Sequence, residues 1–283
     1  MKIAVFPNHI KDKSFEYTMK VINKLQSLNM EVLLEKKYYR WFKDKNICFC
    51  ESVSEAVDLC DIVLTIGGDG TVIHFAKYAA KALKPILGIN LGRLGFVTGI
   101  EKDELFKLDL LAEKKFKVQK RTMLKVTAIK DKCEEFFAFN DMVISRDRVS
   151  KIIDFSVCLG EDEVCSYRAD GIIMSTSTGS TAYSLSAGGP MIDPALDCML
   201  LTPICSHSMF AKPIVFSGNV PVSIKAKKGS EVFLSIDGNN VDMTNCSEVK
   251  IELADKKSNL IMFDERSFYK RLSEKFLCEW VNN

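Results

Sequence analysis

Apolar and polar positions follow two different rhythms along this chain. In the first third, short apolar runs alternate with stretches whose apolar residues recur every three or four positions. Lys2–Phe6, Glu31–Glu35, Asp61–Ile66 and Pro85–Ile89 read as strands, and the unbroken Val, Ile and Leu of the last two fits strands buried on both faces. Behind Ser14, the residues Phe15, Met19 and Ile22 share one helical face, and Val72, Phe75, Ala76, Ala79, Ala80 and Leu83 do the same over Thr71–Leu83. Strands alternating with helices predict parallel βαβ units. The expected first domain is α/β, Rossmann-like, around a parallel sheet.

After the charged stretch Lys102–Lys117, which reads as helical, the rhythm shortens. Met123–Ile129 alternates with period two, followed by strand candidates at Phe136–Phe139, Met142–Ser145, Ile152–Leu159, Glu163–Tyr167 and Ile172–Ser175. Pro213–Phe216, Val222–Ala226, Val232–Ile236, Val249–Leu253 and Leu260–Phe263 continue the series. One helical interruption begins near Ser180. Many short strands with polar turns predict a mainly β second domain. The expected division is 1–117 and 118–283, with a final stretch of about 25 residues free to pack back on the first domain.

Composition narrows the class. The 283 residues carry 39 Lys and Arg against 37 Asp and Glu, a net charge of +2. No global field therefore calls for nucleic acid or an anionic membrane. The opening Met1–Pro7 is too short an apolar run for a signal peptide, and no run reaches the roughly 18 apolar residues that span a bilayer. A cytoplasmic enzyme is expected. The 10 cysteines are scattered without a Cys-x-x-Cys pair, so free, mostly buried thiols are expected rather than a zinc site or disulfides.

The chemistry gathers where glycine does, with seven of the 15 glycines between Gly67 and Gly99. The strand Asp61–Ile66 runs into Gly67-Gly68-Asp69-Gly70-Thr71. Paired glycines allow a sharp turn and let phosphate oxygens approach bare amides. Asp69 at that apex is an anion where a phosphate cradle would ordinarily avoid one, and it reads as a base or metal ligand. Neither a Walker loop nor a Gly-x-Gly-x-x-Gly fingerprint is present. After the next strand, Asn90–Val97 should lie at the same sheet edge, where Phe96 either offers a flat surface to a purine or fills the core. Asn140-Asp141 can read ribose hydroxyls and a purine edge, or form an ordinary turn. Six Ser and Thr residues lie between 175 and 181, just before the expected helix. They suggest hydroxyl donors and free helix amides for phosphate and base binding. Asp237-Gly238-Asn239 reads as a hairpin turn.

In order and spacing these segments resemble the ATP-NAD kinase family, from about Ile62 to Asn239. The glycine-aspartate turn belongs to a wider kinase superfamily; Thr181–Pro190 is far more specific, and Thr202–Val215 resembles a further family motif. The resemblance implies an ATP-dependent kinase that phosphorylates the adenosine 2′-hydroxyl of NAD to give NADP, using a divalent metal, with Mg²⁺ expected, and forming homodimers or homotetramers. Asp69 would accept the hydroxyl proton, Gly70 would pack against the ribose and His74 would reach the dinucleotide phosphates. Asn140 and Asp141 would hold adenine and ribose, and Arg168 and Asp170 would contact the dinucleotide. Thr181, Ala182, Tyr183, Ser184, Leu185 and Ser186 would line the nucleoside pocket, with Phe96 beside it. Lys151 stands where the family places a basic or imidazole residue. Lys212 replaces the commoner Arg, a point charge for a planar fork, and Asn239 stands where Gln is frequent. The rival readings are a diacylglycerol-type lipid kinase, which shares the glycine-aspartate turn, and a non-catalytic dinucleotide sensor.

Overall fold

A computed structural model describes residues 1–130, 132–146, 152–207, 211–227, 232–242, 246, 248–263 and 268–281, the side chains of 276–281 excepted. The chain divides into two compact units, Met1–Lys120 with Ser258–Asn283, and Arg121–Lys257.

The first unit is built on an eight-stranded sheet. Its strands are β1 (Lys2–Pro7), β2 (Glu31–Glu35), β3 (Cys48–Cys50), β4 (Ile62–Gly67), β5 (Pro85–Asn90), β6 (Ile100–Glu101), β7 (Lys117–Arg121) and a returning strand, Ser258–Met262. The order is β3-β2-β1-β4-β5, then the returning strand and β7, with β6 beside β5. Pairing is parallel from β3 through to the returning strand. Every residue of β4 is buried, as expected for a strand covered on both faces. The covering helices include α1 (Glu16–Ser27), α2 (Tyr39–Phe42), α3 (Val53–Leu59), α4 (Asp69–Lys81) and α5 (Lys107–Ala112). α1 turns Val21, Ile22 and Leu25 into the core beside Val5, Leu64 and Ile89. Its start is not capped by Ser14. Asp12 does that work, its carboxylate accepting from the amides of Tyr17 and Thr18 and from the Thr18 hydroxyl.

The expected helix over Lys102–Lys117 shrinks to α5, and Lys117 already belongs to β7. Charge alternation there reflects local pairing instead: buried Lys107 meets Glu104 at 2.8 Å.

The second unit is a sandwich of two six-stranded antiparallel sheets. One contains β10 (Asp141–Arg146), β13 (Gly171–Thr176), β14 (Cys198–Ile204), β15 (Ile214–Ser217), β17 (Val232–Ile236) and β18 (Asn239–Val241). The other contains β8 (Leu124–Ile129), β9 (Glu134–Ala138), β11 (Ile153–Leu159), β12 (Asp162–Ala169), β16 (Val222–Ala226) and β19 (Glu248–Leu253). The returning strand of the first unit completes the count as β20, followed by the helix Phe268–Val281. Alternate residues of both sheets, among them Val126, Met142, Phe155, Met174, Leu201, Ile224 and Ile251, share one apolar core. Strand β14 was not expected from the sequence, yet it lies between β13 and β15 and is buried through Pro203. It lacks the period-two signal because Cys198–Leu201 is apolar on both faces and its one polar residue, Thr202, is buried as well. The fold is therefore an α/β unit with a mostly parallel sheet plus an antiparallel β unit, the class expected from the sequence.

All nine described cysteines are free. No helix among the described residues is long and apolar enough to cross a membrane.

Candidate active site

In the order β3-β2-β1-β4-β5 the winding reverses between β1 and β4, so the loops after those strands diverge and leave a crevice at the carboxyl edge. Asn8 closes the floor: its amide donates to Ile66 O at 2.8 Å, and its Nδ2 reaches Thr71 Oγ1 at 3.2 Å. Gly68 connects β4 to α4 with φ of 171°, extended backbone open to any residue. Space, not a sharp turn, therefore explains the glycine pair. A Cβ on Gly67 would run into the Thr71 side chain, and one on Gly68 would come within 2.5 Å of Lys11 Nζ.

Asp69 opens α4, half-buried. Its Oδ2 accepts from the Phe96 amide at 2.8 Å and its Oδ1 from the Val97 amide at 3.1 Å. The negative carboxylate also benefits from the positive end of the helix dipole. Gly95 is bare because a side chain there would strike the Asp69 carboxylate and the Thr98 hydroxyl. The loop carrying these amides is tied down by Arg271, 6% exposed, on the final helix α7 (Phe268–Val281). Its guanidinium donates to Gly95 O at 3.1 Å and to Thr98 O at 2.8 Å. No motif marked Arg271, because its partners are backbone carbonyls some 170 residues away in sequence. Behind the loop, Asn90 Nδ2 donates to Arg93 O and Glu101 Oε2, both at 2.7 Å. Burial pushes the Glu101 carboxyl above its ordinary value, against the Asn90 hydrogen bond and the Arg271 charge.

Gly70 is exposed, with open space where a side chain would stand. His74 lies on the outer part of α4 with its ring edge-on to Phe75, 4.8 Å between centroids. Partial desolvation, then Lys77 and Lys37, lower its basicity. Phe96 is half-buried against Phe268, and Lys275 Nζ sits 4.1 Å from its ring centroid. One face of that ring is thus taken by a cation–π contact from α7.

In the second unit, three of the sequence segments come together at one end of the β10–β13–β17 sheet. The carboxylate of Asp237 accepts from three amides, Phe139 at 2.7 Å, Asn140 at 2.8 Å and Asp141 at 3.1 Å. Asp237 and Gly238 both have positive φ, 47° and 76°, as a tight two-residue hairpin turn requires. The expected hairpin at Asp237 is present, but its Asp also orders the Asn140-Asp141 turn. A side-chain link between positions almost 100 apart has no local sequence signal. Asp141 is 6% exposed. Burial, then the like charge of Asp237, push its carboxyl up to about 7. Against the same turn, Asn140 O accepts from Thr176 N at 2.8 Å, and Thr176 Oγ1 donates to Phe139 O at 2.8 Å. Gly179 packs on the Asn140 backbone so closely that any Cβ would collide with it.

The Ser/Thr-rich stretch departs from expectation in its use of polar groups. Ser175, Thr176, Ser177, Thr178 and Ser180 are buried. The helix expected near Ser180 is a 3₁₀ turn, Thr178–Thr181, followed by the four-residue α6, Tyr183–Ser186. Its amides are not free for an anion: Gly179 N donates to Thr176 Oγ1, and Ser180 N and Ala182 N donate to carbonyls one turn back. Ser184 is fully buried, 2.7 Å from Thr202 Oγ1. Thr181, Ala182 and Leu185 are half-buried, while Tyr183 and Ser186 are exposed. Thr178 is buried with its hydroxyl unpartnered.

The remaining residues are engaged with other partners, Asn239 within the Asp237 hairpin itself. Exposed Arg168 on β12 is 4.0 Å from Asp154, which Lys227 also approaches. Asp170 Oδ1 accepts from Arg146 Nε at 2.7 Å. Exposed Asn239 spends its Nδ2 on the carbonyls of Ile236 and Asp237. Lys212 contributes its carbonyl to the Tyr167 hydroxyl. Lys151 lies outside the described residues.

Residues 3–116 match the ATP-NAD kinase N-terminal domain and residues 139–263 the ATP-NAD kinase C-terminal domain. An NAD kinase of Moorella thermoacetica is 35% identical over 280 residues, 97% of this chain and 88% of that protein. One from Caldanaerobacter subterraneus subsp. tengcongensis is 34% identical over 285 residues, 97% and 98% of the two chains. Among solved structures, an NAD kinase from Archaeoglobus fulgidus in complex with ATP superposes with TM-score 0.75 at 27% identity, covering 97% of this chain and 98% of that one. Yeast NADH kinase complexed with NADH shares the fold at TM-score 0.89 and 22% identity, covering 98% and 87%.

Proposed function

The chain belongs to the ATP-NAD kinase family, and from that premise we propose that it transfers the γ-phosphoryl group of ATP to the 2′-hydroxyl of the adenosine ribose of NAD, yielding NADP and ADP. The observation that carries the reading is the Asp69 carboxylate, held by the Phe96 and Val97 amides at the carboxyl edge of the parallel sheet. Each of its oxygens accepts one amide and keeps capacity for a second donor. That second donor would be the ribose 2′-hydroxyl.

In the reaction the 2′-oxygen attacks the γ-phosphorus in line. The new O–P bond forms, the bond to the β-phosphate oxygen breaks, ADP departs and the hydroxyl proton passes to Asp69. A carboxylate is a far weaker base than an alkoxide, so the proton moves late, as the O–P bond forms. Phosphoryl transfer depends mostly on positioning and charge neutralisation. The rigid loop from Gly92 to Gly99 supplies the positioning of Asp69. A divalent cation such as Mg²⁺ fits as a companion of the ATP phosphates, since such ions keep water and phosphate as most of their ligands. Asp69 is the carboxylate that would share it, and the cation would supply charge neutralisation.

In the second unit, Asn140 and Asp141, ordered by Asp237 and packed on the Thr176–Gly179 turn, would hold adenine and ribose. The exposed part of Thr181–Ser186 would line the pocket, Tyr183 and Ser186 foremost. Ser184 would shape it from within through Thr202. Arg168 and Asp170 would contact the dinucleotide beside their present partners, Asp154 and Arg146. A cytoplasmic location and a homodimer or homotetramer accompany this reading. The diacylglycerol-type alternative loses ground to the match of residues 139–263 with the ATP-NAD kinase C-terminal domain.

Purified protein incubated with NAD, ATP and Mg²⁺ should form NADP, read by an NADP-specific dehydrogenase. No NADP above a heat-inactivated control would overturn the kinase reading and favour a dinucleotide sensor.

A further inference from the structure

Lys11 is absent from every motif described above, yet the structure brings its ammonium to the glycine floor beside Asp69. Asn8 makes this possible. Its carbonyl accepts from the amides of Lys11 and Asp12, and its Oδ1 accepts from the Ile10 amide. The turn after β1 is thereby folded across the carboxyl end of β4. Lys11 Nζ would meet a Cβ on Gly68 at 2.5 Å and one on Gly92 at 3.0 Å, so the ammonium overhangs both bare loops. Next to it opens a cavity of about 210 Å³ whose lining includes Lys11, Lys13, Lys20 and Lys102. None of the four is ion-paired among the described residues, unlike the lysines at 24, 36, 37 and 107.

Two carboxylates face the same cavity, Asp12 and Glu16. Asp12 is buried and engaged by three donors from α1, which leaves exposed Glu16 as the only free opposing charge at the wall. Four lysines without an ion pair against these two carboxylates give the cavity wall a net positive charge that favours an anion. A volume of this size holds several waters or a few phosphate groups rather than a single ion.

We propose that Lys11 binds the triphosphate of the phosphoryl donor, and that the lysine-lined cavity receives the phosphates that leave as ADP. This rests on the kinase reading. In-line transfer needs donor and acceptor on opposite sides of the moving phosphorus. Asp69 serves the acceptor oxygen, and Lys11 supplies positive charge from the glycine floor on the donor side. The flexible lysine stem lets the ammonium follow the phosphates without blocking them.

The test compares Lys11→Ala, Lys11→Arg and Lys43→Ala in steady-state NADP formation, varying ATP and NAD separately. Lys43 is exposed and remote from the loop in sequence, so it reports the effect of net charge alone. Lys11→Ala should raise KM for ATP about tenfold or more, the scale for losing a charged hydrogen bond. KM for NAD should stay within about twofold, Lys11→Arg should recover most of the loss, and Lys43→Ala should match the wild type. An unchanged KM for ATP in Lys11→Ala, an equal rise for NAD, or an equal effect of Lys43→Ala would overturn the proposal while leaving the kinase reading intact. Absence of NADP from the wild type would overturn the reading itself. Amine labelling of the wild-type protein, read by peptide mass spectrometry, needs no variant. ATP should protect Lys11 but not Lys43, and equal labelling of Lys11 with and without ATP would refute its role.

Discussion

Replacing Asp141 by Asn should make the protein more stable at neutral pH, by an amount that vanishes in acid. Asp141 is 6% exposed and lies beside the Asp237 carboxylate, so its carboxyl ionises at about 7 in the folded chain against an ordinary 3.8. Its folded pKa is raised. The stability linked to its proton is therefore complete below pH 3.8, is lost progressively as pH rises, and is gone above about pH 7. A gap of about three pH units, at about 1.4 kcal/mol each, sets an upper limit of about 4 kcal/mol on the penalty. Asn has the shape of the protonated acid and never ionises. The assay is urea unfolding of ligand-free wild type and Asp141→Asn at steps from pH 4 to 8.5. The variant's advantage should grow by about 1 kcal/mol per pH unit up to pH 7 and then level off. Any constant offset from the Asn hydrogen bonds leaves that slope untouched. A difference that stays flat across the range would refute a buried, proton-holding Asp141. On the proposed reading, in which Asp141 holds the dinucleotide, the stabilised variant should also bind NAD more weakly, the usual conflict of stability with activity at a binding group.

Three further outcomes follow from the geometry. Asp69→Asn should lower kcat by roughly 10²–10⁴ with modest change in NAD affinity, the range for losing a general base, and wild-type turnover would remove Asp69 from the mechanism. Arg271→Met leaves the carbonyls of Gly95 and Thr98 without their buried donor; thermal unfolding should show a loss of about 2–4 kcal/mol, and kcat should fall more than KM changes, because Arg271 acts through the loop that holds Asp69. Gly179→Ala places a methyl group against the Asn140 backbone, so calorimetry should show a marked loss of NAD affinity, while equal affinity at equal folded fraction would separate that turn from the site.

How much of this was legible beforehand depends on the range of each interaction. The strands β1, β2, β4 and β5 and the helix after Gly70 were readable because burial periodicity is local. So was the β-rich character of the second unit. Strand β14 was not, since it is buried on both faces and nearly all apolar, which removes the alternation that marks a half-exposed strand. The helix expected after Lys102 shortened because its charges serve particular partners and do not line one solvated face: Lys107 is buried against Glu104, and Asp109 pairs with Lys24 of α1. Hydroxyl-rich sequence from Ser175 to Thr181 suggested a display of donors. Folding turned most of them inward, because a tight turn in a buried place consumes its own polar groups.

The sequence by itself determined the family, the two-part class of the fold and the identity of the acid at the glycine turn. Those depend on residue type and short spacing, which survive without coordinates. Only the tertiary structure decided what holds that acid in place. Asp69 rests on amides 27 and 28 residues away, Arg271 secures the same loop from the other end of the chain, and Asp237 orders the Asn140-Asp141 turn. Each is a bond between a side chain and distant backbone, and backbone carries no letter in the sequence. The glycines at 67, 68 and 95 show the same division: their presence was plain, but the neighbours that forbid a side chain there emerged only when the chain was folded.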